Sequence, residues 1–182
     1  FSFNSPQGAC ESCHGLGKLL KIDPSKIIAG SLTLSEGAII PFARMMESDT
    51  WWARLVKKVV EDQGYDFRKT AFDDFDEKTR NILYFGSKKT YEVEGTNRDG
   101  RMTTIHETFE GFIKNLERRY TETESEYIRK EIERFMRKEV CAACKGTRLK
   151  PEALSVTIDK QNIAQVTDLS ITYAKEWIGS LS

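Results

Sequence analysis

The feature that most constrains this chain is a pair of pairs: Cys10 and Cys13 near one end, Cys141 and Cys144 near the other, with more than a hundred residues between them. Each pair is a CxxC turn followed two residues later by glycine, as Cys10-Glu-Ser-Cys13-His-Gly15-Leu-Gly17 and Cys141-Ala-Ala-Cys144-Lys-Gly146-Thr-Arg148. Such a turn sets two sulfurs on one side of a tight loop. The glycine then lets backbone amides point at them without a Cβ clash. Two knuckles supply four thiolates, the set that zinc takes in a tetrahedron at about 2.3 Å, and a site so filled leaves no position for water or substrate. One shared, structural zinc ion held by Cys10, Cys13, Cys141 and Cys144 is therefore expected. Zinc ribbons usually separate their two pairs by about 12 to 20 residues. The longer separation here is tolerable because loop-closure entropy grows only logarithmically with length. Unmetallated pairs, pairs completing two different sites, and a redox-active CxxC are the competing readings; redox pairs normally stand singly at a helix start after a strand.

At 182 residues and 39% hydrophobic content the chain can bury one core plus a small appendage. It has no apolar run near the roughly 20 residues of a membrane span and no charged-then-apolar leader, so a soluble cytoplasmic protein without membrane contact is expected. A chain starting at Phe1, without methionine and already in a knuckle, is expected to extend in both directions in nature. Twenty-eight basic residues balance twenty-eight acidic ones. Bulk charge thus gives no argument for nucleic acid, and any DNA contact must come from a local patch.

Hydrophobic periodicity predicts a helix over Thr50–Gln63 and a second from the N-cap Asp76 to Phe85 with Gly86 as its cap. The period then changes to two. Lys88–Glu94 and Arg101–Glu107 alternate around the turn residues Asn97–Gly100, which predicts a β-hairpin. Helices are expected over Phe109–Tyr120 and Glu124–Lys138, the latter with Thr123 and Glu126 at capping-box spacing. Beyond the second knuckle, Leu154–Ile158 reads as a strand, Asp159–Gln161 as a turn and Asn162–Val166 as the returning strand, before a terminal helix capped by Ser170. The fold class is α+β: a zinc-clasped module, residues 1–22 and 139–182, carrying an inserted domain, 23–138, of helices and an antiparallel hairpin.

The segment Phe1-Ser-Phe-Asn-Ser-Pro-Gln-Gly-Ala-Cys10-Glu-Ser-Cys13-His-Gly-Leu-Gly17, with Cys141-Ala-Ala-Cys144-Lys-Gly-Thr-Arg-Leu149, resembles the bacterial UvrA family, and the likeness continues through Leu34–Ala38, Glu117–Tyr120 and Leu169–Ile171. The resemblance implies the first signature domain of the damage-sensing ATPase subunit of the UvrABC excision-repair system, with its insertion domain between two halves of a zinc module. It also implies damaged duplex DNA, UvrB and a second UvrA as partners, and ATP bound in parts of the longer protein outside this stretch. The chain shows no GxxxxGK[ST] loop; Gly86-Ser-Lys-Lys-Thr90 lacks the second glycine and the register that wraps phosphates. No enzymatic activity is expected of the stretch itself.

Candidate DNA contacts are the cations beside the knuckles, Lys18, Lys21, Lys145, Arg148 and Lys150, and those of the hairpin region, Lys88, Lys89, Arg98 and Arg101. The run from Cys141 to Lys150 contains no acid, whereas Arg118, Arg119, Arg129 and Lys130 are interleaved with glutamates and read as a solvated face. The knuckle cations are therefore expected to carry more of the contact than the helical pair. Trp51, Trp52 and Trp177 read as core before they read as stacking platforms, His14 as a bystander and His106 as a face residue of the alternating hairpin. The competing function is a protein-interaction module facing a repair partner or the dimer mate. A chaperone-like zinc module of DnaJ type is a weaker third, since its four tandem knuckles are absent.

Overall fold

The computed structural model describes residues 2–96 and 101–181. The expected turn at Asn97–Gly100, and with it Arg98, lies outside the described residues. The chain forms two compact units: Phe1–Lys21 with Lys138–Ser182, and Ile22–Arg137. The unit boundaries fall inside two strands, β1 (Lys18–Ile22) and β4 (Met136–Val140), which pair in a two-stranded sheet. Among the described residues no helix is long and apolar enough to cross a membrane.

After β1 comes a single turn, α1 (Pro24–Ile27), which starts where it does because Asp23 accepts from the Ser25 N–H and Pro24 needs no partner for a missing one. Two short 3-10 turns and α2 (Ala43–Glu47) lead to α3 (Trp51–Asp62). Thr50 caps α3 by accepting from the Ala53 N–H, and its buried stripe of Ala53, Leu55, Val56, Val59 and Val60 follows helical spacing. A second capped helix, α4 (Glu77–Phe85), begins at Asp76, whose carboxylate takes the Thr79 N–H at 2.7 Å. The hairpin pairs β2 (Thr90–Thr96) with β3 (Met102–Thr108), Thr90 opposite Thr108 and Thr96 opposite Met102. Its inner residues Tyr91 and Val93 are buried, and β2 lies against α3. Helices α5 (Phe112–Glu122) and α6 (Glu126–Glu133) complete this unit.

The tryptophans Trp51 and Trp52 pack on this core, as their helical spacing indicates. Trp52 stacks on Phe42 with centroids 4.7 Å apart and meets the ring of Phe112 edge-on at 5.3 Å. Tyr65, Phe72, Phe75 and Tyr84 form a second aromatic group. Between α4 and α5 two glycines meet. Gly86 and Gly111 both have left-handed φ, and a Cβ on Gly86 would stand 2.3 Å from the Glu110 carbonyl oxygen, one on Gly111 2.3 Å from the Gly86 nitrogen.

Three local expectations are corrected. The helix placed over Glu124–Lys138 starts after Ser125, not Thr123, and ends at Glu133, because residues 136–140 pair with β1 instead. Of the strand placed over Leu154–Ile158 only the last two residues form one, β5 (Thr157–Ile158), because Leu154 closes a helical turn, α7 (Pro151–Leu154). Its partner β6 (Gln161–Asn162) is equally short, joined through Asp159 and Lys160 at positive φ, the two-residue turn of a tight hairpin. Asn162 then opens a helix, α8 (Ile163–Asp168), through a capping box with Gln165, so the expected returning strand is helical. The terminal helix is α9 (Ile171–Gly179), capped by Ser170 as expected.

The glycine pair generates a test. Gly86→Ala combines a left-handed backbone with a clash against fixed carbonyls and is expected to cost about 3 kcal/mol or more. Gly64→Ala also places a side chain at positive φ but meets nothing within 4 Å, and should cost only about 1 kcal/mol. Urea unfolding of the two variants measures the difference; equal losses would show that the close approach at Gly86 is not what holds α4 to α5.

Candidate metal centre

The four cysteines come together in the first unit. All are buried, and their sulfurs lie within 4.8 Å of one another. Cys10 Sγ is 4.0 Å from Cys141 Sγ, and Cys13 Sγ 3.7 Å from Cys144 Sγ. Four sulfurs about 2.3 Å from a central ion would be about 3.8 Å apart, so this spacing fits a metal, and the donor set suits a soft or borderline cation.

The backbone shows why these sequences converge. After the second cysteine of each knuckle come matching left-handed residues: His14 and Lys145 at φ 47° and 50°, Gly15 and Gly146 at 79° and 90°, Gly17 and Arg148 at 73° and 72°. The turns also share hydrogen bonds. The Leu16 N–H donates to the Cys13 carbonyl and the Thr147 N–H to that of Cys144, each at 2.9 Å. Across the knuckles the Cys10 N–H donates to the Arg148 carbonyl at 2.9 Å, and the Cys141 N–H to the Gly17 carbonyl at 3.0 Å. The internal echo visible in the sequence is thus a two-fold repeat of conformation that extends to the fourth residue after each second cysteine.

Amides aimed at sulfur stabilise thiolate. The Gly17 N–H donates to Cys13 Sγ at 3.2 Å. Backbone N–H groups of Cys144 and Ala143 hold the Cys141 thiol down at about 7, whereas burial pushes Cys144 up to about 11. Gly15 is fixed by contact as well as by φ: a Cβ there would stand 1.9 Å from the Phe3 carbonyl oxygen.

The cations expected to touch DNA are distributed differently from one another. Arg148 bridges the knuckles, its Nε donating to the Gly15 carbonyl at 2.7 Å and its guanidinium lying 3.7 Å from the centre of the Phe3 ring. Lys150 pairs with Glu11 at 2.8 Å, which raises the lysine's pKa and lowers the carboxylate's. Lys21 pairs with Glu139 at 3.4 Å. Lys18 and Lys145 are exposed. In the other unit, Lys88 and Arg101 are exposed, and Lys89 forms an ion pair with Asp62 while lying over the Tyr91 ring. The acids that meet Lys150 and Lys89 are distant in sequence, so no local charge count could find them. Arg118, Arg129 and Arg134 are each ion-paired to glutamates, the solvated face that the sequence pattern indicates. His14 is exposed and stands outside the sulfur cluster; His106 sits opposite Glu92 on the outer face of the hairpin.

A family model described as the UvrA DNA-binding domain matches residues 23–134, more than half of the chain. The chain belongs to the UvrA family. Its relatives include UvrABC system protein A of Methanothermobacter thermautotrophicus, 39% identical over 182 residues, covering 100% of this chain and 19% of that protein. UvrABC system protein A of Brucella abortus is 42% identical over 180 residues, covering 97% of this chain and 18% of that protein. The chain thus spans about a fifth of the length of these relatives. The crystal structure of UvrA2 from Deinococcus radiodurans superposes with a TM-score of 0.72 at 24% identity, over 98% of this chain and 23% of that one, a likeness of fold.

Metal uptake by this UvrA-family chain should release protons, because Cys144 keeps its proton up to about pH 11 in the free fold and ligation requires thiolate. Affinity is expected to rise about tenfold per pH unit for each proton released near neutrality. Titration calorimetry in buffers of different ionisation enthalpy counts those protons; an affinity indifferent to pH would contradict thiolate ligation.

Proposed function

We propose that this chain is the DNA-contacting, damage-recognition part of an excision-repair subunit of UvrA type, with Cys10, Cys13, Cys141 and Cys144 holding one structural zinc ion. The observation that carries the DNA reading is the match of residues 23–134 to a family described as DNA-binding. Zinc is favoured by four buried sulfurs at tetrahedral spacing, a set that leaves no open coordination position and so implies a structural role. When bound, the ion would supply the clasp between the two knuckles. By family, the partners are damaged duplex, UvrB and a second UvrA in the cytoplasm, and ATP binds in parts of the longer proteins that this chain does not span.

Duplex contact through phosphates suits a protein that reads deformation rather than base sequence. We place that contact on the unit matched by the family model, with Lys88, Lys89 and Arg101 beside the hairpin as its cations. The knuckle cluster is the weaker candidate because it lies outside the residues that the family model matches; three of its five cations, Lys21, Arg148 and Lys150, also hold neighbours within their own unit, as Lys89 of the hairpin does with Asp62. This shifts the weight from the knuckles, where sequence proximity alone put it.

Two measurements test the proposal. The purified chain is expected to carry one zinc per molecule, and chelation or Cys141→Ser should lower its melting temperature sharply, because metal binding is coupled to folding; metal analysis returning none would end the zinc reading. In duplex binding at several salt concentrations, Lys88/Lys89/Arg101→Ala should flatten the salt dependence by about two to three units of slope, at about 0.9 per phosphate contact. Lys145/Arg148/Lys150→Ala should change it by about one unit or less. The reverse ranking would put the DNA face on the knuckles.

A further inference from the structure

The sheet made by β1 and β4 has two faces, and their side chains divide cleanly. Lys21 and Glu139 form an ion pair, so they share one face, and Leu19, on the same side of β1 as Lys21, packs against the cysteine cluster. Strand alternation then puts Lys18 and Leu20 of β1, with Lys138 and Val140 of β4, on the opposite face. All four are exposed, Leu20 at 41% and Val140 at 61%. The second knuckle adjoins this face, since a Cβ on Gly146 would lie 3.6 Å from Val140 Cγ1, and its neighbour Lys145 is exposed as well.

The charges on this face are uncompensated. Lys21 and Lys150 have carboxylate partners, but among the described residues Lys18, Lys138 and Lys145 have no ion pair or side-chain hydrogen bond. Leu20 and Val140 share this face with Lys18 and Lys138, and with Ile22 and Met136, which are buried; Lys145 adjoins it through the second knuckle, and Leu19 braces the strand pair from behind on the cysteine cluster, so the exposed part of the face is cationic with two aliphatic side chains on it. We propose that this face docks an acidic amphipathic segment of a partner protein, which sets carboxylates against Lys18, Lys138 and Lys145 and apolar side chains on Leu20 and Val140. The aliphatic pair argues for protein over nucleic acid: a phosphate backbone would satisfy the lysines but leave Leu20 and Val140 facing charged oxygens, whereas an acidic peptide satisfies both. The surface is small, which suits a transient contact. It shares no residue with the hairpin cations assigned to DNA.

The test uses the whole zinc-loaded chain and a fluorescent synthetic peptide of alternating Glu and Leu, with a Lys/Leu peptide and a short duplex as the other probes, read by fluorescence anisotropy. The Glu/Leu peptide should bind and the Lys/Leu peptide should not. Lys18→Glu/Lys138→Glu should weaken the Glu/Leu complex about tenfold or more, and Leu20→Ser/Val140→Ser about tenfold, while duplex affinity is unchanged by the Leu20/Val140 substitutions. All four positions are exposed, and unchanged zinc content and melting temperature confirm that the variants fold. The proposal is overturned if the serine variant binds the Glu/Leu peptide as the natural chain does. It is equally overturned if Lys18→Glu/Lys138→Glu weakens duplex binding tenfold and leaves the peptide complex intact, which would make this a DNA face.

Discussion

Two backbone hydrogen bonds exchanged between the knuckles, from the Cys10 N–H to Arg148 and from the Cys141 N–H to Gly17, bring residues more than a hundred positions apart into one small unit. Closing so long a loop costs little more than closing a shorter one, but that cost must still be met by the contacts of residues 1–21 and 138–182 alone. Few apolar side chains of this unit are fully buried, and none of those on α8 and α9 is. The four sulfurs lie within metal-binding range of one another, and the zinc proposed for them would stabilise the unit where its core is thin, as in small modules that couple ligation to folding. The repeated left-handed positions after Cys13 and Cys144 serve that end: each turns the chain so that its amides face sulfur and its fourth residue faces the other knuckle.

The larger unit is organised by ordinary burial. Its helices and hairpin share a core of Leu, Val, Ile and aromatic side chains, and the hairpin is held to α3 at a defined place. Arg54, on α3, donates from Nε to Asp49 at 2.6 Å, reaches the Glu94 carbonyl, and lies over the ring of Trp51. The carboxylate of Asp49 raises the Arg54 pKa further, so the guanidinium is a permanent charge in this latch. Gly95 leaves room for it, since a Cβ there would fall 1.6 Å from Arg54 Nη1. A strand glycine usually marks a close approach, and here the approaching group is named.

Much of this was legible in the residues, for identifiable reasons. Asp76 and Ser170 were readable as caps because a short polar side chain before an apolar-periodic run has a free N–H to bond, and Thr50, read as the first helical residue, caps its helix by the same chemistry. The hairpin was readable from its period of two. What failed was the competition between local preference and distant pairing: Met136–Val140 has the composition of a helix end, but β1 is available to it only in the folded chain. The α8 error had a readable remedy, because Asn162-Ile-Ala-Gln165 is itself a capping-box pattern that the alternation of neighbouring residues obscured. The cysteine cluster was legible because ligand chemistry is specific enough to link two distant motifs without any knowledge of the path between them.

Charge was the least legible property, and the reason is geometric. A run of sequence free of acids says nothing about acids brought in by another segment, and the knuckle repeat guarantees such an encounter: whatever joins Cys10 to Arg148 also brings Glu11 beside Lys150. The same clasp turns Arg148 inward, onto Phe3 and the Gly15 carbonyl. Two of the three cations that make the second knuckle look basic in sequence are therefore spent on holding it to the first. The lysines left uncompensated on that face, Lys18, Lys138 and Lys145, come from two stretches of chain more than a hundred residues apart and gather only because β1 pairs with β4 beside the second knuckle. In a chain with no net charge, the surfaces that attract partners are set by which cations the fold leaves over, and that subtraction can be done only after the knuckles have closed.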